Sequence, residues 1–386
     1  MPAIASRALT IPASPIRRIF DLAQDLDGVI ALNVGEPDLP VAPHVLAAGA
    51  RAWADDVTDY TPNGGIGALR AAIAGKLARD NGLAVDPDQV WVTAGGMQAL
   101  HQVMSMTLDA GDEVLVPDPG YVNFSMTARH VGAVPVPYRL DPDDGFRPDP
   151  VALEAAVTGR TRVLVVNSPS NPLGTVYPAP VLEHLLAFAR RHDLWVVSDE
   201  VYERFTYGVP HVSPAALDRD GRVLPVFSFS KTYALTGARV GWFVAPPQWS
   251  ALLRTAQEAV VSCVNAPAQL AALAALEGDQ QTVADAREHY RANIEAACEL
   301  LRGKGVRHQR PDGAFYLWVD VSHVSGGDVS AWCERFLVEQ RVAVAPGTGF
   351  GASGEGWVRL SLAGTREDVL AGVSRIPSAG RVVASR

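Results

Sequence analysis

Lys231 stands in Ser228-Phe229-Ser230-Lys231-Thr232-Tyr233, between hydroxyl residues, directly after the apolar run 223–227 and eight positions before Arg239. A lone lysine is ordinarily a solvated surface charge. Delivered at the end of a buried run, among hydroxyls and near an arginine, it becomes a candidate amine nucleophile beside an anion site. Other apolar runs end in comparable groups. The run 90–93 is followed by Gly95-Gly96-Met97, the run 113–116 by Pro117-Asp118-Pro119-Gly120-Tyr121, and the run 162–166 by Asn167-Ser168-Pro169-Ser170-Asn171-Pro172. After the run 194–197 come Asp199-Glu200-Val201-Tyr202. Open α/β sheets bind ligands at the carboxyl ends of their strands, so these residues are expected to converge.

A phosphorylated, planar, cationic heteroaromatic aldehyde would use all of them. Backbone N–H groups and hydroxyls suit its phosphate, an aromatic ring its face, a carboxylate its protonated ring nitrogen, a phenol and an amide its ring oxygen, and a lysine its aldehyde. That ligand is pyridoxal 5′-phosphate (PLP), which requires a Schiff-base lysine and an acidic partner at the pyridinium nitrogen.

The ordered set, from Asn33-Val34-Gly35-Glu36-Pro37 to Arg359-Leu360-Ser361, resembles the class I/II PLP-dependent aminotransferases of fold type I, the aspartate/aromatic aminotransferase superfamily. The resemblance implies that Lys231 forms the imine and later moves the α-proton, a role that a desolvated lysine of lowered pKa can fill. Ser228, Ser230 and Arg239 correspond to phosphate ligands, joined by main-chain N–H groups of Gly95, Gly96 and Met97 at a helix N-terminus. Asp199 corresponds to the partner of the ring nitrogen, Tyr202 and Asn171 to donors for the ring oxygen, and Tyr121 to the stacking aromatic. Arg359 corresponds to the clamp for the substrate α-carboxylate, with the Gly35 backbone beside it. Tyr60 corresponds to a residue that reaches the phosphate of a second subunit, which implies a homodimer with shared active sites.

The elements that position these residues are read from the pattern. Short β-rich runs, apolar throughout and each followed by a turn and a helical segment, predict α/β units around a mainly parallel sheet covered on both faces. Helices are expected at 97–108 and 181–192, then through the alanine-rich stretches 269–276 and 283–301. Strand-like pieces at 314–319 and 357–362, with a helical segment at 328–340, predict a smaller α+β unit, followed by a frayed tail after Ser378. The resemblance implies seven strands in the large sheet. It also implies three parts: an N-terminal arm and part of the small domain (1–44), a large PLP-binding domain (45–280) and a C-terminal small domain (281–386).

Bulk properties narrow the alternatives. The net charge of −9 disfavours nucleic acid and anionic membranes as partners. The three cysteines form no CxxC pair, which fits a reduced cytoplasm. The N-terminus has no apolar core of a secretory signal, and no apolar run approaches a membrane span. His184 and His192 flank a helix face without an acidic partner at ligand spacing, and there is no HExxH, so no metal site is expected. The cofactor motifs begin by Asn33, so no N-terminal winged helix is expected.

The substrate side chain is read more weakly. Where acidic-substrate members of the family carry an arginine this chain has Val260, and where another branch carries a lysine it has Met97. The expectation is a neutral, aliphatic or aromatic L-amino acid as donor, with a 2-oxo acid such as 2-oxoglutarate as acceptor. Arg17 or Arg18, in Ser14-Pro15-Ile16-Arg17-Arg18-Ile19-Phe20, is the candidate to restore a charge at the pocket. A PLP-dependent C–S β-lyase and a catalytically silent regulatory homologue are the rival readings of the same scaffold.

Overall fold

The computed structural model describes residues 2–380. Its large sheet has seven strands in the order 90–93, 241–244, 223–228, 195–199, 161–167, 113–118, 134–139. All neighbours pair in parallel except that Gly241–Val244 runs antiparallel to both Val90–Thr93 and Val223–Ser228. The strands Glu113–Asp118 and Val223–Ser228, and even the edge strand Val90–Thr93, are buried at every position, as continuous apolar runs between two helical layers must be.

Two strands of this sheet had no clear signal as runs. Val134–Arg139 reads Val-Pro-Val-Pro-Tyr-Arg and lies at the sheet edge, where prolines that lack an N–H donor do not interrupt a ladder. Gly241–Val244 is only four residues long and begins with a glycine that has no room for a side chain. A Cβ on Gly241 would lie 2.7 Å from the Gly96 nitrogen and 2.8 Å from the Phe227 carbonyl oxygen. Because this strand runs backwards, its first residue pairs with Thr93 and Ser228, the last residues of its neighbours. Arg239, just before it, therefore arrives at the carboxyl edge of the parallel strands.

The helices match the expected periods with shifts of a few residues at their ends: Gly95–Thr107, Ala179–Arg191, Ala266–Glu277 and Gln281–Gly303. The 23-residue helix Gln281–Gly303 packs through Tyr290, Ile294, Ala297 and Leu301 into a second core, which Tyr202, Phe205 and Tyr207 also enter. That core holds an antiparallel sheet in the order 345–346, 357–361, 316–320, 308–309, together with the helix Val329–Gln340. The strand expected from Ala314 starts at Tyr316, because Ala314 adopts positive φ (57°) on the turn before it. The N-terminal segment joins this same core: Ile30–Ala31 pairs in parallel with Val342–Ala343, and Ile19 and Leu32 are buried there. Of the tail expected to fray after Ser378, residues 381–386 lie outside the described residues, whereas the Ala379 N–H donates to the Lys304 carbonyl.

Candidate active site

A cavity of about 440 Å³ opens at the carboxyl edge of the large sheet and is closed on its other side by the small sheet and the N-terminal helix Pro15–Gln24. Its lining includes Lys231, Asp199, Tyr202, Tyr121, Asn171, Ser228, Ser230, Arg239, Gly35, Gly96, Met97 and Arg359. Residues separated by more than 300 positions in the chain thus face one space. Of the residues singled out in the sequence, Gly95 lies behind this wall and Tyr60 lies outside it, 91% exposed.

The lysine end is apolar and cationic. Lys231 sits in the short helix Phe229–Thr232, and its Nζ donates to the Gly35 carbonyl at 2.6 Å. Burial, reinforced by the Arg359 guanidinium, lowers its pKa to about 8; Glu36 pulls the other way. Asp199, at the end of Trp195–Asp199, has the reverse shift: burial raises its carboxyl to about 7, although the Val201 N–H donates to it at 3.3 Å. No cation lies within ion-pair distance of Asp199 among the described residues. A buried carboxylate with one weak donor calls for a positively charged partner from a ligand.

The anion end is built from backbone. Helix Gly95–Thr107 starts without a side-chain cap, and Gly96 and Met97 of its first turn line the cavity. Ser228 caps the neighbouring short helix, accepting from the Ser230 N–H at 3.1 Å. Arg239 is held at positive φ (54°), with one guanidinium nitrogen donating to the Thr236 carbonyl at 2.8 Å. Gly95, at φ +79°, leaves space for that guanidinium, since a Cβ there would lie 2.6 Å from its terminal nitrogen. Two hydroxyls, an arginine and a helix N-terminus together suit a phosphate.

Between these ends lie the planar groups. Tyr121 packs edge-on against Phe124, and its hydroxyl accepts from Asn123 Nδ2 at 2.8 Å. Asn123 also donates to Met97 Sδ at 3.2 Å. Met97 was expected to act through its main chain alone; its thioether lines the cavity as well, and the departure is explained by this contact with Asn123 and Tyr121. The Asn171 N–H donates to Asn167 Oδ1 at 2.8 Å, while Asn171 Oδ1 accepts from Arg359 Nη1 at 3.1 Å.

Arg359 is 4% exposed and crosses from the small sheet into the cavity. Among the described residues its hydrogen-bond acceptors are neutral, Asn171 Oδ1 and the Asn33 carbonyl at 2.6 Å, and its Nε has no partner. Its guanidinium lies over the rings of Tyr316 at 4.4 Å and Phe350 at 4.9 Å. A buried arginine without a carboxylate is an unfinished ion pair, and the cavity gives a ligand carboxylate access to it.

The N-terminal helix separates the two arginines considered for the substrate side chain. Arg17 lines the cavity beside Phe20, ion-paired with Asp21 at 3.0 Å, whereas Arg18 turns away to Glu334. Val260 is half exposed and does not line the cavity. The pocket also contains residues that the sequence did not single out, Phe20, Asn123, Thr236 and Tyr316. Asn123 stands two residues after Tyr121, and Tyr316 opens the strand that pairs with the one bearing Arg359, so adjacency to the recognised motifs was the available signal. His192 meets an acid that chain spacing did not reveal, Glu154 at 2.8 Å, in an exposed pair; among the described residues no group of three or more potential metal ligands converges.

An α/β fold with a lysine, an unpaired carboxylate and a phosphate cradle in one cavity defines a PLP-dependent transferase of fold type I. The chain belongs to the class I and II aminotransferases, whose family model, "Aminotransferase class I and II", matches residues 27–376. It is 40% identical over 374 residues to an aspartate/prephenate aminotransferase of Thermus thermophilus, covering 96% of this chain and 94% of the relative. It is 35% identical over 381 residues to aromatic-amino-acid aminotransferase 2 of Thermococcus litoralis, covering 97% of each. Among solved structures, a single mutant of the Thermus thermophilus aspartate aminotransferase superposes with a TM-score of 0.93 at 38% identity, over 98% of this chain and all of the other. The protein is a PLP-dependent transaminase acting on amino acids and 2-oxo acids. PLP supplies an electron sink for the substrate Cα and a carrier for the amino group.

Proposed function

We propose that the chain transfers the amino group of a neutral, aliphatic or aromatic L-amino acid to a 2-oxo acid such as 2-oxoglutarate, one substrate leaving before the other binds. The observation that carries this reading is Arg359, a buried guanidinium with no carboxylate partner in the same cavity as Lys231 and Asp199. Its remaining N–H groups suit an α-carboxylate, held with the substrate Cα toward Lys231. Lys231, with a pKa of about 8, is partly neutral near physiological pH and so can accept the α-proton and return it.

The remaining roles follow from position. Asp199 holds the ring nitrogen protonated. Tyr202 and Asn171 address the ring oxygen. Tyr121 covers the ring face, and Ser228, Ser230, Arg239 and the N–H groups of Gly95, Gly96 and Met97 hold the phosphate. Gly35 positions Lys231 through its carbonyl.

The lining includes the apolar side chains of Ile16, Phe20, Met97, Leu100 and Val122, which supports apolar donors. Arg17 is the cation placed to receive the distal carboxylate of an acidic acceptor, at the expense of its pair with Asp21. The relatives named for aspartate, prephenate and aromatic amino acids are consistent with a site that takes both kinds of substrate.

A core drawn mostly from residues 281–376 and the N-terminal segment, which Tyr202, Phe205 and Tyr207 also enter, supports division into an arm (1–44), a large domain (45–280) and a small domain (281–386). Exposed Leu46, Trp53 and Tyr60 support a homodimer in which Tyr60 serves the partner's phosphate. Cys263, Cys298 and Cys333 are all free thiols, which supports the cytoplasm, and no described helix is long and apolar enough to cross a membrane. The test is a visible spectrum of the purified protein, titrated with single amino acids and no 2-oxo acid. Bleaching of the bound cofactor by leucine, phenylalanine or methionine is expected. A kcat/KM for aspartate far above theirs refutes the donor class, and pyruvate release from a cysteine conjugate without a 2-oxo acid replaces transamination with β-elimination.

A further inference from the structure

Tyr316 has no role in the reading above, yet it is buried at the centre of the site. Its hydroxyl lies 2.7 Å from that of Tyr202, both residues line the cavity, and neither hydroxyl has a second protein partner among the described residues. Two phenols that share one hydrogen bond hold two protons, of which only one lies between them. The other is free for a ligand, and the surroundings decide which phenol keeps it.

Here the two phenols are not equivalent. The Arg359 guanidinium lies 4.4 Å from the Tyr316 ring centre, so the cation polarises Tyr316 directly and makes it the stronger donor. Burial raises the pKa of both phenols, and the Arg359 guanidinium is the chief opposing influence on Tyr316. Gly35 locks the arrangement from the third side, since a Cβ there would lie 2.1 Å from the Tyr316 hydroxyl. The Tyr316 ring is also fixed edge-on against that of Tyr202.

We infer that Tyr316 is a positioning residue: its hydroxyl donates to Tyr202 Oη, leaves the Tyr202 proton facing the cavity for the cofactor's ring oxygen, and ties that hydrogen bond to the charge at Arg359. The inference rests on the assignment of Tyr202 to the ring oxygen. A phenol that receives a hydrogen bond donates a stronger one. Tyr316 therefore helps Tyr202 to stabilise negative charge on that oxygen, which weakens proton binding by the Lys231-linked chromophore. When a substrate carboxylate neutralises Arg359, Tyr316 becomes a poorer donor and proton binding tightens.

The test is a pH titration of the visible absorption of the cofactor-loaded protein, in the wild type, Tyr316→Phe, Tyr202→Phe and the double variant. Phenylalanine keeps the ring beneath Arg359 and removes only the hydroxyl. Tyr316→Phe is expected to tighten proton binding by the chromophore about threefold to tenfold, the range of one neutral hydrogen bond. Tyr202→Phe should do so at least as strongly, and the double variant should match Tyr202→Phe. An unshifted titration in Tyr316→Phe, a double variant equal to the product of the single effects, or loss of bound cofactor in Tyr316→Phe overturns the inference. An unshifted titration in Tyr202→Phe overturns instead the Tyr202 assignment beneath it.

Discussion

Asp199 is poised for a cofactor at a cost to the cofactor-free protein, and that cost is measurable. Its carboxyl titrates at about 7 instead of 3.8 because burial removes its water, with the Val201 N–H as its donor. At about 1.4 kcal/mol for each tenfold change in proton affinity, the displacement corresponds to about 4 kcal/mol of destabilisation by the ionised carboxylate. The sign follows from linkage: between pH 3.8 and about 7 the folded chain binds more protons than the unfolded one, so stability falls as pH rises through that window. Attraction to Lys231 offsets part of the burial, and without it the carboxyl would lie higher still.

Asp199→Asn keeps an oxygen for the Val201 N–H and removes the charge. In the cofactor-free protein at pH 8 it should raise unfolding free energy by about 2–4 kcal/mol, falling to near zero below pH 4. Urea unfolding of both proteins, stripped of PLP and compared at one protomer concentration across this range, measures the difference. A variant less stable than wild type at pH 8, or a difference independent of pH, would refute the argument that Asp199 is a desolvated charge awaiting its partner. The same variant should lose transamination, because a neutral amide cannot hold a ring nitrogen protonated.

Three further outcomes are expected. Lys231→Ala should abolish covalent attachment and with it the visible band of the lysine adduct, and in wild type the half-reaction rate should rise with pH and level off above about 8, where the freed amine is neutral; stopped-flow absorbance with phenylalanine checks both. Gly95→Ala should weaken PLP binding about tenfold or more, since it strains a residue at φ +79° and pushes against Arg239, and fluorescence titration of the cofactor-free protein reads the change. Arg17→Gln should raise KM for 2-oxoglutarate about tenfold while leaving that for phenylalanine within about twofold, as expected for loss of one partly solvated charge contact; equal effects on both would remove Arg17 from acceptor recognition.

Much of this site was legible because its residues directly follow strands. A buried parallel strand is a continuous apolar run that any reader can find, and the sheet gathers the carboxyl ends of such strands at one edge. Lys231, Asp199, Asn171 and the Gly95-Gly96 turn could therefore be brought together without coordinates. Edge strand Val134–Arg139 escaped because its prolines disguise it, and Gly241–Val244 because it opens on a glycine, a residue depleted in strands.

The sequence by itself determined the chemical inventory: which groups stand at the strand ends, and hence the cofactor and the reaction class. It did not determine which face of the N-terminal helix meets the cavity, so Arg17 and Arg18 were equivalent until packing turned one to the pocket and the other to Glu334. Nor did it place Tyr316 against Tyr202, 114 positions apart, or strip Arg359 of acidic partners. Those facts depend on how the small sheet closes over the large one. Contacts between distant segments are set by the packing of whole layers, to which no local pattern of residues corresponds.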